Sequence, residues 1–555
     1  MPTHSVTHHP STSTIDLPLS GKLSQGGPSH DSDSQHPRYA PCSHFRFLCG
    51  KWPTDDGLHS PPIHILDDYS LLNIFSYSRP ALLDESKADN NQLLNGGDWN
   101  RERWWYRLVQ VCRRWRYLVL ESASHLRLSL VCTRGTPVTD MLAHSPPLPL
   151  IIDHFDEYDD ITPEDEEGII LALQHRDRVR RIRLKKPFPI LQKLIISLDG
   201  EFLNLEYLFI KHKGYLRSTD KHSMSLNLPE TFRAPHLHRL FLRNFTISIG
   251  SLIFTNMENL VSLSLSLIPR SAYFHPNALL QRLSLMPQLE ILGVTFNSYY
   301  PSGDVKRQLL RMPITTRVVL PNLRWFAFQG ASAYLEALLP WVTIPILEKL
   351  QVYFFNQLTY STPNLQQFMS TAGNLRLKTI KLSFREDYLC VAAYPHKGAK
   401  IRTLYMVLGG KQLDWQVASA AQVIHTLGTV LSAVEHLTLE YSRRTISSEW
   451  NNEADPTQWR ELLGPFSNVK TLSVDDELVE QLSHALQPGE GESPTDLLPE
   501  LQEVTYSGSG KTGDAFTSFI DARRNAGRPI VLAGIENASF GDLHELLCAA
   551  GAGSE

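Results

Sequence analysis

A short apolar pattern recurs along most of this chain and constrains its fold more than any other feature. Each copy has an apolar residue, two variable residues, a second apolar residue, one variable residue and a third apolar residue. Successive copies begin roughly 23 to 35 residues apart, as expected when one strand and one crossover segment make each unit. A single copy is weak, because any half-buried strand can produce it, but regular recurrence indicates a repeat architecture. The copies begin at Val179, Leu205, Leu237, Leu260, Leu289, Leu323, Leu347, Leu377, Ile401, Val434, Val469 and Leu501.

The pattern also predicts how each unit packs. Side chains of a strand alternate between two faces, so the apolar residues of each copy point into a common core and the residues between them point outward. Each unit then buries its apolar face only against its neighbours. The pattern resembles the strand of a leucine-rich repeat. We therefore expect an α/β fold in which an irregular leucine-rich-repeat solenoid over residues 123–545 carries a parallel sheet on its concave face, with insertions near Asp220, Asp304 and Glu453.

The ends of the chain differ in composition from this repeat region. Residues 1–61 are dominated by Ser, Pro, His, Gly and Asp, whose burial cannot offset the entropy of ordering them, so we predict a disordered tail. Residues 546–555 are expected to form a flexible C-terminus.

The six cysteines have no framework spacing, and the sequence has no signal peptide and no membrane-spanning run. Both observations favour the cytoplasm or the nucleus. The formal charge of -5 is small for 555 residues and implies no polyanionic partner.

Residues 62–122 have a helical rather than a strand-like period. A first helix is predicted to begin after Asp67 and Asp68, which are good N-cap residues. A second helix of more than four turns is predicted over residues 104–119, where apolar residues including three tryptophans recur at helical spacing. Its other face, together with the preceding Arg101 and Arg103, carries six arginines. These could contact a membrane or nucleic acid, but three tryptophans on one face favour a packed core. A polar insertion, residues 78–101, separates the two helices.

Three further elements are predicted between this helical module and the repeats. Residues 126–132 alternate between apolar and polar side chains, which predicts a strand. A helix is expected to begin at Thr136 and Pro137, and residues 148–152 predict another strand. Residues 153–167 are acidic, but they lack the alternating spacing and the glycine of a calcium-binding loop, so a solvated connector is favoured.

The two ends of the helical module resemble a known motif. Residues 66–75, with the sequence LDDYSLLNIF, resemble the opening of the F-box motif, and residues 111–118, VCRRWRYL, are similar to its closing segment. Leu66-Asp67 and Tyr69 stand where the motif usually has Leu-Pro and a following Glu. The resemblance covers about residues 63–122, and the order of an F-box followed by leucine-rich repeats is similar to that of F-box-like proteins of mushroom-forming fungi.

The resemblance implies a non-catalytic role in the ubiquitin-like conjugation pathway. The F-box-like module would dock the small adaptor subunit of an SCF-type cullin ubiquitin ligase, the repeats would recruit a protein target, and catalysis would belong to other subunits. Two alternatives stay open: the module is only an N-terminal cap on the first repeat, or the chain is a repeat scaffold without a ligase role. The residues expected to contact the adaptor are Leu66, Leu71, Leu72, Ile74, Phe75, Leu108, Val111, Cys112, Trp115 and Leu118.

The target is expected to bind the outward-facing positions of the repeat strands. Phe209, Phe241 and Trp325 occupy such positions among polar neighbours, and large aromatic side chains on a solvated sheet face are unusual. Either they anchor a partner or flanking loops cover them. The identity of the target protein is not encoded in the repeat pattern.

Two other motifs are not predicted to bind a ligand. Residues 508–512 approach a phosphate-binding loop, but Thr505 stands where that motif needs its first glycine. Cys42, His44, Cys49 and His59 do not have the usual spacing of zinc ligands. We therefore expect no catalytic residue, no cofactor and no metal, and neither nucleic acid nor membrane as a partner.

Overall fold

The computed structural model describes residues 66–80, 102–155, 161–213, 228–245, 249–269, 272–297, 312–355, 357, 359–442, 454–489, 492–507 and 513–535. All of them belong to one compact unit, Phe47–Glu555, and the other unit is Met1–Arg46. The predicted tail, most of the predicted insertion in the helical module, the predicted insertions near Asp220, Asp304 and Glu453, and the predicted flexible C-terminus lie outside the described residues.

Within these ranges the chain forms thirteen α-helices and eighteen strands, numbered here in chain order. The helices are α1 (Asp68–Tyr77), α2 (Arg113–Glu121), α3 (Val138–His144), α4 (Pro163–Gln174), α5 (Phe188–Ile196), α6 (Pro276–Leu283), α7 (Ser332–Leu338), α8 (Pro363–Thr371), α9 (Leu413–Thr426), α10 (Gly428–Leu431), α11 (Pro456–Leu463), α12 (Asp476–Leu486) and α13 (Thr517–Asn525). Short 3-10 helices are Trp104–Tyr106, Leu108–Gln110, Leu252–Phe254, Leu339–Trp341 and Gly513–Phe516.

The strands are short, and most of them precede a helix or an irregular crossover. They are β1 (Leu130–Cys132), β2 (Leu150–His154), β3 (Val179–Lys186), β4 (Tyr207–His212), β5 (Arg239–Arg243), β6 (Ser262–Ile268), β7 (Ile291–Phe296), β8 (Val318–Val319), β9 (Trp325–Gly330), β10 (Val342–Thr343), β11 (Lys349–Phe354), β12 (Thr379–Arg385), β13 (Tyr388–Tyr394), β14 (Leu404–Gly409), β15 (His436–Ser442), β16 (Thr471–Asp475), β17 (Glu503–Ser507) and β18 (Val531–Ile535).

Sixteen of these strands form one continuous sheet. Its order is β1-β2-β3-β4-β5-β6-β7-β9-β11-β14-β13-β12-β15-β16-β17-β18. Neighbouring strands are parallel except for the two antiparallel pairs that β13 makes with β12 and β14. Strands β8 and β10 form a separate parallel pair. The chain is therefore a mixed α/β protein built on a large, mostly parallel sheet.

The twelve copies of the apolar pattern account for most of this sheet. The second and third apolar residues of every copy lie in a strand, so the strand prediction is confirmed. The first apolar residue is buried in each copy except the ninth, where the Ile401 side chain is 56% exposed. Ile401 lies in the connection between β13 and β14, where the chain arrives from an antiparallel neighbour instead of a helix.

The core lies between the sheet and the helices. The apolar pattern residues of the strands and the buried residues of the crossover helices form one continuous hydrophobic cluster. Residues on the other side of the sheet, such as Phe209, Phe241 and Trp325, are not part of that cluster. We call the two sides of the sheet the helix face and the opposite face.

Asparagines just before the first apolar residue tie neighbouring strands together. The Asn322 Nδ2 donates to the Pro287 carbonyl at 3.2 Å, and the Asn468 Nδ2 donates to the Ser432 carbonyl at 2.7 Å. Asn204 donates to the Asp177 carbonyl in the same way. Each of these exposed bonds joins the segment before one strand to a carbonyl in the segment before the preceding strand.

Three features of the sheet were not predicted, and one of them is strand β18 (Val531–Ile535), which is not among the twelve copies of the pattern. Strand β13 has a continuous apolar sequence with five buried central residues, and a period-based pattern does not detect such a run. The expected strand over residues 126–132 is shortened to Leu130–Cys132. It is shortened because Arg127 has a left-handed backbone (φ 51°) and the Leu128 N–H donates to the Ala123 carbonyl at 2.9 Å, which makes a turn. The predicted helix after Pro137 and the predicted strand over residues 148–152 correspond to α3 and β2.

Among the described residues, every helix is too short or too polar to cross a lipid bilayer.

Candidate functional site

Helix α1 begins where the sequence predicts. The Asp67 carboxylate caps it by accepting hydrogen bonds from the Ser70 N–H at 2.8 Å and the Ser70 hydroxyl at 2.9 Å. The bond from the Ser70 backbone, followed by that from its hydroxyl, lowers the pKa of Asp67. A capped helix start stabilises a short helix by about 1 kcal/mol. Asp67 therefore has a structural role as the helix cap.

The predicted four-turn second helix is wrong. Residues 104–119 form two 3-10 turns, Trp104–Tyr106 and Leu108–Gln110, and then helix α2. The break falls at Cys112, whose backbone is extended (φ -156°) and whose sulfur accepts a hydrogen bond from the Trp115 N–H at 3.4 Å. Because Cys112 caps a new helix, the chain changes direction at the point where the apolar spacing alone predicts continuity.

Helices α1 and α2 are held together by one aromatic contact and one charged contact. The rings of Phe75 and Trp115 meet edge to face with centroids 4.7 Å apart. The Arg114 guanidinium contacts the Asp68 carboxylate at 2.7 Å and donates to the Leu66 carbonyl at 2.6 Å. The ion pair is partly exposed and is worth under about 1 kcal/mol by itself, so the aromatic packing contributes more.

The arginines predicted to line one helix face contact different parts of the chain. The Arg103 guanidinium donates to the Thr133 hydroxyl at 2.6 Å, and the Arg116 guanidinium donates to the Val109 carbonyl at 3.0 Å. Trp105 is buried, and its indole N–H donates to the Ser129 carbonyl at 3.2 Å. The Arg103 and Trp105 contacts fix the module against the residues that flank β1, and the Arg116 contact joins α2 to the preceding 3-10 turn.

The ten residues expected to contact an adaptor divide into three groups. Leu71, Phe75 and Leu118 are buried in the main core. Leu66, Leu72, Leu108, Cys112 and Trp115 are half-buried. Ile74 and Val111 are exposed, at 42% and 52%. Only the exposed and half-buried groups can contact a partner without unfolding the module.

Additional large apolar side chains are exposed on the same two-helix module. Tyr69 and Tyr77 on α1 and Tyr117 on α2 are largely exposed, and Tyr77 reaches 89%. Sequence reasoning missed these three because they lie off the apolar stripe that faces the core; a helical projection of residues 68–77 places Tyr69 and Tyr77 away from the buried Leu71 and Phe75. Together with Ile74 and Val111 they form what we call the exposed apolar group. Several exposed large apolar side chains in one short module are typical of an interaction site.

The three residues expected to anchor a target are buried instead of exposed. Phe209 is 1% exposed, and Phe241 and Trp325 are also buried. The Phe209 ring meets the Phe155 ring edge to face at 4.9 Å and the Phe241 ring at 5.9 Å, and the Lys349 ammonium lies 5.8 Å from the Trp325 ring. Of the two alternatives, burial therefore excludes exposed anchors and favours covered side chains. The cover comes from neighbouring aromatic rings and long cationic side chains.

A second aromatic cluster lies on the opposite face near β13. Cys390 and Tyr405 are buried there with the half-buried Tyr353 packed against them, and the rings of Tyr353 and Tyr405 are 5.6 Å apart. Burial raises the pKa of Cys390, so this thiol has little nucleophilic character. The cluster stabilises the antiparallel hairpin.

The described residues contain no group of three or more His, Cys, Asp or Glu side chains that could hold a metal ion. The glycine-rich segment, residues 508–512, and the cysteine and histidine group, Cys42, His44, Cys49 and His59, lie outside the described residues. The candidate interaction site is therefore the exposed apolar group, which lies on α1, on α2 and at Val111 just before α2.

No model of a known protein family matches this chain, and no curated protein matches it.

Proposed function

We propose that the chain is a non-catalytic substrate receptor of an SCF-type cullin ubiquitin ligase. In this proposal residues 62–122 are an F-box-like module that docks the adaptor subunit. The sheet and its crossover helices form an irregular leucine-rich-repeat solenoid that binds a target protein. The protein acts in the cytoplasm or the nucleus, and the ligase's other subunits carry out the chemistry.

The observation that carries this proposal is the exposed apolar group. Helices α1 and α2 are fixed by the Phe75–Trp115 contact and by the Asp67 and Cys112 caps, yet they expose Ile74, Val111 and three tyrosines. Burying such side chains against a partner helix is favourable by about 25 cal/mol per Å² of apolar surface. A rigid pair of helices with exposed apolar side chains is suited to docking.

The solenoid part of the proposal is supported by strand order and by spacing. Twelve strands follow one sequence pattern and pair in chain order, apart from the reversal at β12–β14. In a repeat array each unit contacts its neighbours, so order along the chain and order in the sheet coincide. The asparagine bonds to the preceding unit fit the same arrangement.

One observation favours the alternative of a scaffold with no ligase role. Leu71, Phe75, Trp105, Leu118 and Val119 are buried in the same cluster as the sheet core. A module that shares its core with the first strands functions as an N-terminal cap even if no adaptor binds it. The two proposals differ only in whether the exposed apolar group has a partner.

Co-purification with adaptor and cullin distinguishes the two proposals. We expect the wild-type chain to retain both subunits, and Ile74→Glu combined with Val111→Glu to lose them, because two charges would be buried in the interface. A matched control is Ile401→Glu combined with Val531→Glu, since these apolar residues are also exposed, at 56% and 65%, and lie far along the chain from the module. The control variant should bind like the wild type.

Thermal unfolding of both variants shows whether they remain folded. Exposed positions tolerate such substitutions within about 0.5 kcal/mol, so both should melt near the wild type. Equal adaptor recovery from the Ile74/Val111 variant, or no adaptor recovered by the wild type, would support the scaffold alternative.

A further inference from the structure

The connection between β13 and β14 places a turn at one edge of the sheet. Strand β13 pairs antiparallel with both β12 and β14, and its last residue, Tyr394, is paired with Thr379 at the start of β12. The chain then reverses direction over residues 395–403 without entering a helix. Gly398 in this turn has a left-handed backbone (φ 80°), and a Cβ atom at that position would meet nothing within 4 Å among the described residues. The turn is therefore open to a partner.

Three cations in and beside this turn have charged ends that are available to a ligand. Lys397 and Lys400 belong to the turn, and Arg376 lies next to it, because the Thr403 hydroxyl donates to the Arg376 carbonyl at 3.0 Å. All three side chains are exposed, and none of them forms an ion pair or a hydrogen bond within the part of the chain that the structure describes. We call Arg376, Lys397 and Lys400 the basic edge.

Two lysines next to the basic edge already bind a carboxylate. Lys378 precedes β12 and Lys470 precedes β16, and both ammonium groups form ion pairs with the Glu435 carboxylate. The hydrogen bonds from Lys378 and Lys470 lower the pKa of Glu435 to about 2. Lys378 lies beside the turn, since its N–H donates to the Tyr394 carbonyl at 2.9 Å. Lysines at this edge of the sheet therefore hold a carboxylate, and the basic edge offers three further cations for the same chemistry.

Positive charge is in surplus in this part of the molecule. Burial, and then the charge of Lys397, lowers the pKa of His436, the first residue of β15. Within the described residues, the basic edge and the two lysines beside it form ion pairs with one carboxylate, that of Glu435. Additional carboxylates would be attracted to this surface, and their binding would relieve the repulsion among its cations.

We propose that the basic edge binds an acidic segment of the target protein, in which Asp or Glu carboxylates pair with Arg376, Lys397 and Lys400. This inference rests on the proposed receptor function, because it names the chemistry of the target. It places recognition at the edge of the sheet and not at the buried aromatic side chains of the opposite face.

Two observations favour an acidic protein segment over nucleic acid. Single-stranded nucleic acid binds by stacking bases on accessible aromatic rings. Tyr394 is half-buried, and Tyr405 is buried with the Arg402 guanidinium 4.7 Å from its ring centroid. The turn also exposes an apolar side chain, Ile401, at 56%. A protein segment can cover Ile401 with an apolar side chain of its own, whereas a sugar-phosphate backbone cannot.

Fluorescence anisotropy of the full-length chain with a labelled Glu-rich dodecapeptide that contains one central Leu tests the inference. Low ionic strength is used, because exposed charges are screened least there. Lys397→Gln combined with Lys400→Gln should weaken binding about fivefold or more, because two of three charge-assisted contacts are lost.

The matched control is Arg233→Gln combined with Lys411→Gln. It changes the net charge equally at two exposed residues, one before β5 and one after the far end of β14. Because neither residue belongs to the basic edge, the control should bind the peptide within about twofold of the wild type.

A single-stranded oligonucleotide of equal charge is the second probe. We expect it to bind more weakly than the peptide and to be equally insensitive to both double variants. No peptide binding by the wild type, or equal weakening by the two double variants, would overturn the inference. So would an oligonucleotide that binds as tightly as the peptide and depends on Lys397 and Lys400. The experiment contains no adaptor, so its failure is separate from a failure of the co-purification.

Discussion

The N-terminal helices and the sheet use apolar residues in opposite ways. In the sheet, eleven of the twelve first pattern positions are buried and only Ile401 is exposed. In α1 and α2, the core positions are occupied by residues such as Leu71 and Phe75, while Ile74, Tyr77 and Tyr117 remain in solvent. The sheet has buried its apolar surface within the chain, whereas the helices retain apolar surface that a second protein can bury.

The comparison shows that a regular apolar pattern indicates which residues form the core, whereas the exposure of an apolar residue indicates where a partner could bind. Strands that repeat one pattern support each other, so their apolar residues describe the core. A short two-helix module has little interior of its own, and its most conspicuous apolar residues divide between the shared core and the surface. The role of an apolar residue in the helices therefore follows from its burial in the folded chain and not from its spacing in the sequence.

The largest expected effect separates the two regions by stability. Phe209→Ala in the sheet should lower the free energy of unfolding by about 3–5 kcal/mol, because the ring is buried between Phe155 and Phe241. Tyr77→Ala on α1 should change it by less than about 0.5 kcal/mol, because the side chain is 89% exposed. Chemical denaturation of both variants measures the two values. Similar losses would show that the two regions do not differ in this way.

A second comparison tests the one exception within the sheet. Leu323→Ala should cost about 2–4 kcal/mol, since the first pattern residue of that copy is fully buried, while Ile401→Ala should cost less than about 0.5 kcal/mol. Denaturant midpoints with unchanged slopes would report both costs. If Ile401→Ala proves as destabilising as Leu323→Ala, the connection between β13 and β14 packs like the other units.

The smallest expected effect concerns Lys211. Its pKa is lowered to about 8 in the folded chain from about 10.5, so the cost of its charge is fully present below pH 8. That cost is relieved as the pH rises from 8 towards 10.5, because the folded state releases the proton first. Lys211→Met should therefore stabilise the chain at pH 7 by up to about 1 kcal/mol, and the gain should disappear as the pH rises above 10.5.

Melting curves of Lys211→Met at several pH values measure this dependence. Lys397→Met provides the control, because Lys397 is exposed in the connection after β13. A gain that is independent of pH, or one shared by the control, would show that burial and the neighbouring positive charges do not destabilise charged Lys211.

Most strands of the sheet were predictable from the sequence because they bury apolar residues at the same positions of one pattern. The pattern needs only side-chain alternation and repetition, and both survive irregular connections. Strand β13 escaped prediction because it pairs antiparallel on both sides and buries all five residues between its terminal tyrosines, so it has no period to detect. Pairing direction is set by contacts between segments distant in sequence, which local patterns do not contain.

The candidate site was predictable only in part. The residues of α1 and α2 were identified, but apolar spacing could not show that Cys112 ends one segment and caps the next. It also could not separate Phe75, which packs on Trp115, from Ile74 one residue before it. For Phe209 the alternation of faces was correct, but alternation could not decide between an exposed and a covered ring, because the covering side chains come from neighbouring strands and from the residue after β2.

Hydrogen exchange of the full-length chain with and without the adaptor tests the central claim most directly. The account predicts slower exchange in the amides of α1 and in residues 108–121 when the adaptor is added, because the exposed apolar group becomes buried, and unchanged exchange in β3–β17. The Ile74→Glu/Val111→Glu variant should show no such protection. A wild-type chain whose α1 and α2 exchange at the same rate in the presence of saturating adaptor would contradict the account.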